Sequence, residues 1–223
     1  MAGGSQLGEG VAASRAEMPA STAEGDGTSV ENVELPAFGS VFVLLERGQS
    51  LPAALPSLTA VALDHPLHGP WDVVFDGDGQ LPPKTALPAV GLWSGPDADS
   101  RLSGVEYFSV RATYRHNFHW EPAAVSKVVL DLGDVRDLAE VRLNGQHVGV
   151  AWTRPFRVDV TDAIRPGGNT LEMAVAKPWA NRLMGDAAAG PGTLPGSVVF
   201  EADAPPLPAG LHGPVKLLTC PAT

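Results

Sequence analysis

The sequence predicts an all-β protein, an antiparallel β-sandwich of the jelly-roll kind. Short apolar-polar alternations recur from about residue 61 onward. Turn formers punctuate them, with 25 Gly and 21 Pro among 223 residues. No stretch sustains a helical period, and about 160 residues suffice for a two-sheet core.

The first strand is WDVVFD (71–76), with Trp71 in the core. GVEYFSVRATYRHNF (104–118) alternates next. Phe108, Val110, Ala112, Tyr114 and Phe118 share one face, and Ser109, Arg111, Thr113 and Arg115 the other. SKVVLDLG (126–133) is a third strand. VRLNGQHVGV (141–150) is a hairpin about Asn144-Gly145, because a two-residue type I′ turn needs φ > 0 at both positions. That turn pairs Leu143 with Gln146, Arg142 with His147 and Val141 with Val148. It places Val141, Leu143, Val148 and Val150 on a buried face, with Trp152 at the core or its rim. FRVDV (156–160) alternates, TDAIRPGGN (161–169) forms one helical turn stopped by Pro and Gly, and TLEMAVA (170–176) turns Leu171, Met173 and Val175 inward. VKLLT (215–219) closes the set.

The first third of the chain differs. Residues 1–33 are rich in Gly, Ala, Ser and Glu and hold no aromatic residue, so a disordered acidic lead is expected. ELPAFGSVFVLLE (34–46) reads as an isolated strand, followed by the Pro-studded connector SLPAALPSL (50–58). A strand without a hairpin partner suggests the remnant of a preceding β domain over 34–60. The sandwich is then expected over 61–220.

The formal net charge is −10, from 25 Asp+Glu against 15 Lys+Arg. No basic stripe appears, so nucleic acid is not an expected partner. No apolar run is long enough to span a bilayer, and no basic segment precedes an apolar one, so a soluble chain without a signal peptide is expected and its compartment stays unknown. Cys220, the single cysteine, builds neither a disulfide framework nor a zinc site.

Catalytic motifs are missing. No nucleophile elbow and no phosphate-binding loop occur. Asp131, Asp134 and Asp137 lie in a turn after a strand, where surface acids usually lie. His116 and His119 form HxxH, but an odd offset on a strand sends them to opposite faces. DGDGQ (76–80) resembles the start of a calcium loop but carries Gln80 at the fifth position, so it reads as a turn. No cofactor is expected, although a structural calcium held by backbone oxygens and carboxylates is compatible with the sequence. The tryptophans bear more on function. Trp93 (GLWSG) and Trp179 (KPWANRLMGD) are placed in loops, where aromatic faces suit sugar rings; the competing reading is that they plug the sandwich end.

The runs YFSVRATYRHNF, VVLDLGDVRDLAEVRLNGQHVGVAW and FRVDVTDAIRPGGNTLEMAVAKPW, in that order, resemble the sugar-binding domain of glycoside hydrolase family 2, a jelly roll of the galactose-binding-like fold. GSVFVLLE (39–46), LSGVEYFSVRATYR (102–115), WANRLMGD (179–186) and LPAGLHGPVKL (207–217) resemble more closely the C-terminal domain of family 106, the α-L-rhamnosidases. The likeness covers about residues 38–218. It departs at Val110, where members often read FSG and this chain reads FSV.

The resemblance implies that the loop after the Asn169–Val175 strand lies beside the substrate pocket of a catalytic barrel. By position, Trp179, Asn181, Arg182 and Asp186 become sugar-contact candidates, with Trp93 added from the residues alone. The catalytic carboxylates of these families lie in the barrel, which needs on the order of 250 residues. No catalytic or metal residue is therefore assigned, and the chain is read as a fragment or subunit whose catalytic part is absent. The resulting expectation is a non-catalytic accessory module of carbohydrate metabolism, partnered by a carbohydrate or a glycosidase catalytic domain. Two alternatives stand: a lectin-like binder, and a structural or protein-interaction sandwich without a sugar role.

Overall fold

The computed structural model describes residues 63–77, 84–121, 125–190, 194, 199–201 and 203–221, all within the unit Val61–Thr223. The expected lead over 1–33, the isolated strand and the connector lie outside the described residues, as do positions 78–80 of the DGDGQ turn.

Strands follow one another as β1 (Leu63–Pro66), β2 (Trp71–Phe75), β3 (Thr85–Leu87), β4 (Leu92–Ser94), β5 (Val110–Trp120), β6 (Val125–Asp131), β7 (Asp134–Arg136), β8 (Leu138–Leu143), β9 (Gln146–Ala151), β10 (Arg157–Asp159) and β11 (Gly167–Lys177). A helix, α1 (Ala180–Ala188), precedes β12 (Ala209–Gly213) and β13 (Lys216–Pro221). One sheet runs β3-β2-β5-β11-β8-β9, a second β1-β13-β6-β10, and a short third β4-β12-β7. Every strand pair within them is antiparallel. The fold is an all-β sandwich.

Period-two patterning explains the core. Val73, Ala112, Tyr114, Val141, Leu143, Leu171, Met173 and Val175 point inward from the six-stranded sheet. Val128, Leu130, Val158 and Leu217 come from the four-stranded sheet and Val135 and Leu211 from the short one, and all join one buried cluster. Each large apolar side chain so buried contributes about 1.5–3 kcal/mol by leaving water. Burial also raises the Tyr114 hydroxyl far above the usual phenol range, and it stays protonated, donating to Gly91 O at 2.6 Å.

The hairpin forms where expected. Asn144 (φ 54°) and Gly145 (φ 81°) both take the left-handed conformation of a type I′ turn. Leu143 pairs with Gln146 and Arg142 with His147. Asn144 does more than turn: its Nδ2 donates to Ala163 O and Asn169 Oδ1, both at 2.8 Å, tying the hairpin to the turn before β11 and to the start of β11 itself.

Beyond Arg142 the register departs from the expected one. A bulge leaves Val148 extra, so Val141 pairs with Gly149 and Ala139 with Ala151. One inserted residue reverses which side chains face in. Val150 is therefore exposed and Ala151 buried, and Trp152 is not at the core but 72% exposed. Of the three acids expected in a surface turn, Asp137 is exposed there and the other two differ. Asp131 is buried at the end of β6, its Oδ2 accepting from Arg157 Nε at 2.9 Å. Asp134 accepts from Arg136 and Arg154, each at 2.6 Å.

The aromatic strand starts at Val110 rather than 104, and the departure from FSG has a structural cost. Val110 has φ 129°, a region that a β-branched residue occupies only under strain of about 1–3 kcal/mol. Its side chain is 50% exposed, so it returns little packing and does not face inward as expected. Val110→Gly is expected to raise stability by about 1 kcal/mol, after allowing about 0.5–1 kcal/mol for the entropy of glycine. A higher urea midpoint at unchanged slope shows this; a lower midpoint refutes the strain.

Candidate functional site at the end of the long central strand

β11 ends at Lys177, whose Nζ is buried against Asp137 Oδ2 at 2.9 Å. Pro178 and Trp179 then turn the chain into α1. The segment WANRLMGD is thus a helix, where a loop was expected. Met184 and Ala187, three apart, face the protein and hold it there.

A helix start leaves N–H groups without intrahelical partners. Trp179 offers no side-chain cap. Ser109, from the segment before β5, supplies one instead: its Oγ accepts from Arg182 N at 3.0 Å. Tyr107 lies against Gly185, where an added Cβ would fall 2.7 Å from its Cγ. Neither Ser109 nor Tyr107 was singled out from sequence, since only the tertiary approach of this segment to the helix gives them a role.

The five sugar-contact candidates separate. Asn181 has 0% of its surface exposed. Its Nδ2 donates to Leu207 O at 2.8 Å and Ser94 Oγ at 3.1 Å, and its Oδ1 accepts from Leu207 N at 2.9 Å. Its polar atoms are engaged within the protein. Asp186 accepts from Leu194 N at 2.9 Å and so ties down the chain beyond the helix. Trp93 lies not in a loop but in β4, with 1% exposed, and its Nε1 donates to Phe108 O at 3.3 Å. A face packed edge-on against Phe75 and Phe108 is closed to a sugar ring.

Trp179 and Arg182 remain outward. Trp179 is 59% exposed and Arg182 is exposed. Their spacing of three puts them on one side of the first helical turn. An apolar ring face beside a guanidinium is a surface that can cover a sugar ring and donate to its hydroxyls.

His116 and His119 do lie on opposite faces. His116 is buried, stacked on Trp71 at 4.4 Å between centroids with Nδ1 2.8 Å from Pro70 O, while His119 is largely exposed. Among the described residues no helix is long and apolar enough to cross a membrane.

The family described as glycosyl hydrolase 2 galactose-binding domain-like matches residues 85–199. A putative beta-glucuronidase of Formosa agariphila is 40% identical over 123 residues, covering 54% of this chain and 10% of that protein. The solved rhamnosidase of Novosphingobium sp. PP1Y aligns with a TM-score of 0.60 at 37% identity, over 76% of this chain and 16% of that one. A beta-glucuronidase of Faecalibacterium prausnitzii shares the fold, with a TM-score of 0.50 at 20% identity over 75% of this chain and 33% of its own. The chain spans a minor part of each of these proteins.

Proposed function

Because the chain belongs to the glycosyl hydrolase 2 galactose-binding domain-like family, we propose that it is a non-catalytic accessory sandwich of a glycoside hydrolase of the α-L-rhamnosidase kind. It presents Trp179 and Arg182 to a sugar held by a catalytic domain. The observation that supports this reading is the mounting of that pair: an exposed Trp and Arg open a helix whose adjacent Asn181 is clamped inside the protein. A contact group on a rigid mount loses little freedom on binding. The rhamnosidase assignment rests on the likeness to the Novosphingobium enzyme and on the WANRLMGD and LPAGLHGPVKL segments.

The purified chain is expected to leave an aryl α-L-rhamnoside uncleaved, yet to bind rhamnose weakly and saturably in an NMR titration. Trp179→Ala should weaken that binding about tenfold, equal to about 1.4 kcal/mol, with melting unchanged. Turnover that persists through repeated purification overturns the non-catalytic reading. Binding indifferent to Trp179→Ala overturns the contact surface.

A further inference from the structure

The outer face of the six-stranded sheet carries a groove of about 230 Å³. Its floor is Thr113 and Ala174, neighbours on β5 and β11 that are too short to fill the space above the sheet. Along one side runs the cross-strand row Arg115, Glu172, Arg142. Arg111 stands on the other side, four residues from Arg115 and on the same face. Glu140, opposite Ala174 on β8, closes the end.

Each arginine holds one carboxylate. Arg111 Nε donates to Asp76, Arg115 Nε donates to Glu172 Oε1 at 2.6 Å, and Arg142 donates to Glu140 Oε1 at 3.0 Å. The first two engage only the Nε edge. Their terminal amino groups make no protein hydrogen bond among the described residues, and both side chains are half exposed. Arg136 and Arg154 differ, since they converge on Asp134 through those same groups. A row serving only as a solvated charge ladder accounts for the pairs. It does not account for an unfilled floor framed by two guanidinium groups whose terminal amino groups are left over.

We propose that this groove binds an acidic oligosaccharide, with sugar carboxylates taken by the forks of Arg111 and Arg115. The planar guanidinium matches a carboxylate through two parallel hydrogen bonds. Ring hydroxyls donate to Glu140 and Glu172, both of which line the same space. The two arginines stand about 13 Å apart along the strand, and β5 and β8 about 10 Å apart across it, so the groove spans linked sugar residues rather than one. Three arginines and two glutamates line it, and Asp76 balances the third arginine, on a chain whose net charge is −10. The groove therefore carries no net charge, and the hydrogen bonds of the guanidinium groups decide the ligand.

The test titrates the full chain with trigalacturonate and with its methyl ester, by calorimetry. The acid is expected to bind saturably, and the ester at least tenfold more weakly. Ala174→Trp, which fills the groove while removing no charged side chain, should reduce acid binding at least tenfold with the chain still folded cooperatively. Arg115→Gln should do the same, and its exposed ion pair contributes little to stability. Trp179→Ala should leave acid binding intact, which separates this groove from the rhamnose surface. Equal affinity for acid and ester, absence of binding, or binding that survives Ala174→Trp each overturns the proposal.

Discussion

Asn181→Leu is expected to lower stability by about 3 kcal/mol, a large share of what a domain of this size possesses. The substitution keeps the branched shape, at a somewhat larger volume, and removes every polar atom of a fully buried side chain. Leu207 N loses its acceptor, and Leu207 O and Ser94 Oγ each lose a donor. Ser94 still donates to Leu207 O at 2.9 Å, which limits the damage to two of the three groups. A buried group left unsatisfied costs about 1–3 kcal/mol, so the sum falls near the figure given. Urea denaturation measures it. Hydrogen exchange adds a local readout: amides of α1 should exchange faster than those of β5 or β11, because the clamp seats the helix. Asn181→Asp should be at least as damaging, since a carboxylate cannot donate to Leu207 O and brings a buried charge. A loss below about 1 kcal/mol for Asn181→Leu would show that the clamp is redundant.

The long strands were legible because their patterns are local. Ala112 and Tyr114, Val141 and Leu143, Leu171 and Met173 announce their inward faces by alternation alone, and Asn144-Gly145 announces its turn. What failed depended on partners distant in the chain. Trp93 sits in a short GLWSG stretch flanked by glycines and looks like a loop residue; pairing of β4 with β12, more than a hundred residues on, buries it. Asp131 follows a strand as surface acids do, yet β10 brings Arg157 opposite it. The helix after β11 did leave a signal, since Ala180, Leu183, Met184 and Ala187 repeat at helical spacing among good helix formers. A Pro before it and a Gly within it masked that signal. Reading the segment as a loop made Asn181 and Trp179 equivalent candidates. Helical geometry separates them, one turned into the protein and one turned out.

Gly133→Ala is expected to cost about 4 kcal/mol or to prevent folding, while Gly145→Ala costs about 1 kcal/mol. The two glycines have similar backbones, at φ 68° and 81°. Both substitutions therefore carry the same penalty, about 1–2 kcal/mol, for an L-residue in the left-handed region. They differ in space. A Cβ on Gly145 meets nothing within 4 Å. A Cβ on Gly133 falls 2.2 Å from the carbonyl carbon and oxygen of Gly213 and 2.7 Å from Pro214 N. Those are backbone atoms and cannot rotate aside, so the corner between β12 and β13 must move. The strain also reaches the core. Gly133 N donates to Asp131 Oδ1 at 2.9 Å, and Asp131 holds Arg157 with its other oxygen. A shifted Gly133 thus loosens a partly buried ion pair, and the buried Asp131 carboxylate that loses its partner is costly. Paired denaturation curves test the argument. Similar losses at the two positions would show that backbone conformation alone sets the cost, and that the close approach at Gly213 yields without penalty.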